Sequence, residues 1–158
     1  MMPLPQKGDV GVNATLAVAA DNANVSTDGK LNILGVFQEW TSSTYPAVVP
    51  TVVLVISWDA EPVEFGTQKE VHITFMGPEP EGKVALPPVV LAIPEAPRPG
   101  EPAIAHQILT LQNLPLLRPG PHAFYIVVGG EPKARIPLYV REPTGEEGKE
   151  APDQWQKK

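Results

Sequence analysis

Three histidines, eighteen acids and no cysteine are the chain's whole supply of groups for metal or nucleophilic chemistry. His72, His106 and His122 stand on separate predicted segments, with no His-x-His or His-x-x-x-His spacing, and only Glu70 beside His72 offers a neighbouring carboxylate. A metal site needs several such ligands within about 2 Å of one ion, so the local sequence supports none, and the histidines read as surface or half-buried side chains. Without cysteine there is no thiolate ligand, no sulfur nucleophile and no disulfide framework. Ser26, Ser42, Ser43 and Ser57 lack the Gly-x-Ser-x-Gly setting that presents a serine on a sharp turn. The pair Gly129-Gly130 belongs to no phosphate-cradling loop and reads as a hairpin turn. The acids gather where turns are expected, as with Asp59, Glu61 and Glu64, or Glu79 and Glu81, and solvation in loops explains them better than a catalytic carboxylate pair. These residues predict a protein that is not an enzyme and carries no cofactor or metal.

Two groups could instead bind. In "DNANVSTDG", Asp21 to Gly29, short polar side chains suggest a cation loop, but counting from Asp21 the third, fifth and sixth positions are Ala23, Val25 and Ser26. An EF-hand-like loop needs oxygen ligands at the first two of these and glycine at the last, so the pattern fails. A three-residue turn Thr27-Asp28-Gly29 serves better: it sets Val25 opposite Leu31, Ala23 opposite Ile33 and Asn24 opposite Asn32, apolar to apolar and polar to polar. The second group is Trp40, Tyr45 and Asp59, which could hold a carbohydrate or a small apolar molecule between loops at one end of the domain. Trp58 ends the most apolar segment and reads as core. Trp155, alone in a polar tail, is a candidate anchor for a partner.

The formal charge of −6 splits into −2 from residues 142–158, five acids against three lysines, and −4 from the rest, thirteen acids against nine bases. Phosphate binding needs clustered Lys and Arg, and no window of the sequence gathers them with aromatics, so nucleic acid is excluded as a partner on this reading. The longest apolar run, Ala47 to Trp58, is interrupted by Pro50 and too short to span a bilayer, and the N-terminal residues show no signal-peptide pattern. A soluble protein of the cytoplasm, or of a virion, is expected.

The elements that must position these residues are strands. "TVVLVISWD" is β-branched and apolar throughout, as for a strand buried on both faces or at the centre of a sheet, and "KEVHITFMG" alternates with Val71, Ile73 and Phe75 on one face. "KVALPPVVLAIPE" carries three prolines and belongs at an edge or in a strand broken by a bulge. In "AIAHQILTLQNLPLL", Ile104, Ile108 and Leu111 also fit a helical stripe, while as a strand its apolar parity changes near His106 and Gln107, which predicts a bulge there. "RPGPHAFYIVV" and "ARIPLYVRE", separated by "GGEPK", form a closing hairpin. The 20 prolines and 13 glycines fall between such runs, so the fold class is all-β, an antiparallel β-sandwich of seven or eight strands. Residues 1–12 read as an extended arm, 13–142 as the domain and 143–158 as a polar tail.

The succession "AADNANVSTDGKLNILGVFQEW", "YPAVVPTVVLVISWD" and "GPHAFYIVVGGEPKARIPLYV" resembles an uncharacterised domain-of-unknown-function family of bacterial and phage genomes, over roughly Ala14 to Arg141. The resemblance implies a compact β-sandwich and transfers no catalytic residue. The function expected is a non-catalytic structural or protein-interaction module, a subunit or accessory of a larger assembly of phage descent, with a protein partner or a homo-oligomer. Binding of a small ligand or carbohydrate is the alternative.

Overall fold

The computed structural model describes residues 11–144. Trp155, most of the N-terminal arm and nearly all of the tail lie outside them. The chain is all-β, and among the described residues ten strands run in the order β1 Val12–Val25, β2 Leu31–Phe37, β3 Glu39–Thr41, β4 Ala47–Ala60, β5 Gln68–Met76, β6 Val84–Ala85, β7 Val89–Ala92, β8 Ala103–Leu116, β9 Gly120–Val128 and β10 Glu131–Arg141. Sheet A has the order β2-β1-β4-β8, and sheet B the order β3-β10-β9-β5-β6, with β7 also on β5. Both sheets feed one core, in which Leu54, Ile56 and Trp58 of β4 join Phe75 of β5, Phe124 of β9 and Leu138 of β10, all buried.

The expected count of seven or eight antiparallel strands is corrected in two places. The segment read as one strand from Gly29 to Trp40 divides at Gln38: β2 stays in sheet A and β3 crosses to sheet B, where it runs parallel to β10 and the Tyr139 N–H donates to the Gln38 carbonyl at 2.7 Å. The proline-rich segment also divides, into β6 and β7 on either side of Pro87-Pro88, because neither proline has an N–H for β5. Sheet B is therefore mixed, and it curls as half a barrel.

Local chemistry sets the two hairpins. Between β1 and β2 the pairs are Val25 with Leu31, Asn24 with Asn32 and Ala23 with Ile33, the register the three-residue turn requires. The Gly29 N–H donates to the Ser26 carbonyl at 2.9 Å and Gly29 takes φ +86°, the left-handed conformation that closes such a turn. Between β9 and β10 the link is shorter than "GGEPK". Gly129 and Gly130, at φ +61° and +80°, make a two-residue turn, and residues 131–133 join β10 through a bulge between Pro132 and Ala134.

The parity change expected near His106 and Gln107 is absent. β8 pairs with β4 without a break from Ala103 to Leu116, Gln107 facing inward and His106 outward. Gln107 tolerates burial because its Oε1 accepts from the Trp58 indole N–H at 2.9 Å and its Nε2 donates to the Val90 carbonyl at 3.4 Å. The residue out of the ordinary is Asn113, at φ +57°, beyond which Leu114 and Leu116 regain the core.

Candidate protein-interaction surface

The proposed ligand residues do not meet. Trp40 sits on β3 opposite Val140 and packs its half-buried ring against the core. Tyr45 lies nearby, its hydroxyl donating to the Arg141 carbonyl at 2.9 Å, and desolvation pushes that hydroxyl's pKa up. Asp59 stands near the far end of the 14-residue β4, which at about 3.3 Å per residue puts it roughly 40 Å from Tyr45. Trp58 is fully buried, as its place in the apolar run implies. The histidines are likewise separate. His72 is exposed beside Glu70, His106 pairs with Ser57, and His122 is buried with its ring stacked on Phe75 at 5.2 Å. Among the described residues no three potential metal ligands cluster. The Asp21-to-Gly29 run is a turn: Asp28 accepts from the Ser26 hydroxyl and pairs with Lys30 at 3.3 Å, contacts that lower its pKa, the Ser26 hydrogen bond most.

A different surface emerges from strand alternation. On β4 the even positions from Val52 to Ala60 enter the core, so Val53, Val55 and Ser57 face away from it, yet all three are buried, Val55 completely. Ala20, Val18 and Leu16 of β1 flank them on one side, and Thr110, Ile108 and His106 of β8 on the other. The outermost residues are bare: Leu34 is 69%, Val36 54% and Ile104 59% exposed. Within the patch Ser57 Oγ lies 2.8 Å from His106 Nδ1, and toward the β1–β2 turn the face becomes polar at Asn22 and at the hydrogen-bonded pair Asn24 and Asn32. Asp59 is the charged residue on this face, and it stands at the end. Antiparallel sheets ordinarily turn one polar face to water. Here the centre of the outer face of sheet A is apolar as well, with the charge-poor composition of an interface centre.

Sequence reasoning read β4 as buried on both faces and missed that β1 and β8 extend this second apolar face beside it. The signal lay in runs such as "TVVLVIS" and "LAVAA", apolar at both parities.

At the open side of the molecule, where β8 ends sheet A, an apolar groove of about 340 Å³ runs between Leu86–Val89 and Ile108–Leu111. The outer face of sheet B is of another kind. Arg135 lies 6.0 Å over the Tyr125 ring, and Tyr139 and Arg141 follow on the same strand face.

The model of a family of unknown function, DUF6941, matches residues 15–141. No curated protein matches the chain. Among solved structures, the Pseudomonas fluorescens alkylpurine DNA glycosylase AlkC, bound to DNA containing an abasic site analog, is similar at 13% identity and a TM-score of 0.48. The similar region covers 84% of this chain, which spans only 31% of that one. The exclusion of nucleic acid is corrected here. A solved chain with some likeness in fold is held on DNA, and pairing of β9 with β10 groups Arg135, Tyr125 and Tyr139, a juxtaposition invisible in a linear window. The likeness is too slight to carry an argument that this chain binds DNA. No helix among the described residues is long and apolar enough to cross a membrane.

Proposed function

The chain belongs to DUF6941, a family of unknown function, and from that premise we propose that it is a non-catalytic β-sandwich module that binds another protein through the outer face of sheet A. One observation carries this reading: an apolar patch centred on Val53 and Val55, with Asp59 as its charged residue at one end, lies on the side of the sheet opposite the core, with Leu34, Val36 and Ile104 more than half exposed. Water leaves such a face at a gain of about 25 cal/mol per Å² buried. The module then serves as a subunit or accessory of a larger assembly.

The test is purification of the tagged full chain from its own source, with mass photometry, beside a Leu34→Lys/Val36→Lys variant. Both substitutions sit on exposed positions and leave the core untouched, so the variant keeps its melting temperature. The expected result is a stoichiometric complex with the parent chain that the variant loses. A parent chain that emerges alone, or a complex indifferent to the variant, overturns the reading.

A further inference from the structure

We propose that β8 is a self-pairing edge: two copies of the chain join antiparallel through β8 about a twofold axis, making one continuous eight-stranded sheet from two copies of sheet A. This inference stands on the edge of the sheet and is independent of what its face meets.

Sheet edges in natural proteins are blunted, because a row of unpaired N–H and C=O groups templates the addition of another strand. Three edges of this molecule follow that rule. β3 is three residues long. The β6–β7 edge is broken by Pro87 and Pro88. β2 carries Gly35 at φ +71° in mid-strand, where a Cβ would come 2.3 Å from Oδ2 of Asp21.

β8 carries none of these devices over most of its length. Its 14 residues, "AIAHQILTLQNLPL", contain no charge and no proline before Pro115, and its positive φ waits until Asn113. Among the described residues it pairs on one side only, with β4.

Charge selects a second copy as the occupant. A twofold interface presents each patch to itself, so any charge near the axis meets its own sign, and a chain of net charge −6 can join only where acids are missing. A strand without a charged residue meets that condition. The seam is about 46 Å long and about 10 Å deep, so it buries on the order of 900 Å² over both copies, near the lower bound for a specific interface. The groove beside Ile108–Leu111 adds apolar wall. The dimer is therefore reversible and dissociates on dilution.

The geometry makes a sharp test. Residues opposite each other in a continuous sheet point to the same face, so the twofold axis passes midway between the two copies of one residue of β8, and that residue alone faces its own copy. Its two Cα atoms lie about 5 Å apart, within disulfide reach, while a residue two places away lies about 13 Å from its copy. The chain has no cysteine, so single cysteines at each position from 104 to 112, oxidised in the purified full chain, read the register directly. One strongly cross-linked position, falling away on both sides, is the expected result, together with a dimer in sedimentation whose dissociation constant rises at least tenfold in Thr110→Lys. Leu34→Lys, on the opposite edge strand, leaves the constant unchanged. A monomer at every concentration, cross-linking equal at all positions, or a dimer weakened by Leu34→Lys and not by Thr110→Lys overturns the proposal. A monomer that still captures its partner through Leu34 and Val36 refutes the edge and leaves the proposed function standing.

Discussion

The two sheets share a core and differ on their outer faces. The four strands of sheet A contain two charged residues, Asp21 and Asp59, and no Lys or Arg. Three strands of sheet B alone, β3, β5 and β10, contain seven: Glu39, Lys69, Glu70, Glu131, Lys133, Arg135 and Arg141. One sheet of the pair has the surface that keeps a protein in water, and the other has a second core-like layer. Stability does not require the second layer, since sheet B does without one. The proposed recognition through sheet A rests on that asymmetry.

That comparison breaks most visibly if the layer on sheet A is not sealed. Val55→Glu places a carboxylate among Val18 and Ile108 with no cationic partner on that face, and is expected to cost about 3 kcal/mol in urea unfolding. Thr74→Glu, on the outer face of sheet B opposite Tyr125, is expected to stay within about 0.5 kcal/mol. Equal costs would mean that the two faces are alike. A smaller effect comes from sheet B itself. Glu39 and Arg141 meet at 2.7 Å with side chains 58% and 48% exposed, so Arg141→Ala should cost about 0.2–1 kcal/mol, and less at high salt. The smallest lies at the turn of sheet A. The Ser26 hydroxyl and Lys30 hold the Asp28 carboxyl below its ordinary value of 3.8. Their contribution is complete above that value and is lost as pH falls through the lowered one. An NMR titration should find the Asp28 midpoint below 3.8, and Ser26→Ala should move it upward.

What could be read from the sequence was what neighbours along the chain decide. The β1–β2 register followed from Gly29 and from matching Asn24 with Asn32, a choice made within about ten residues. β4 was legible as a central strand because its β-branched residues are apolar at both parities. The break at Gln38 was not legible, since what ends β2 there is β10, a hundred residues away, which takes the Gln38 carbonyl. The reading of β8 failed for a related reason. Ile104 and Ile108 fitted a helical stripe as readily as a strand, and only pairing with Asp59 and Val55 shows that both line the side of the sheet opposite the core. Trp40, Tyr45 and Asp59 were chosen by residue type, and the length of β4 separates them. A face built from four strands is set by the order of strands in the sheet, which no local pattern contains.

The pairing of β4 with β8 also has a cost in time. Ser57 and His106, cross-strand partners at the heart of the outer layer, are 49 residues apart in the chain. At about 5–20 residues per second of synthesis, His106 is made roughly 2–10 s after Ser57. During that interval the most apolar strand of the protein has β1 for company but lacks the neighbour that closes its other side. The nascent chain therefore presents its stickiest segment early and completes it late. Slowing translation between Ala60 and Ala103 would lengthen the period in which that strand edge stands open.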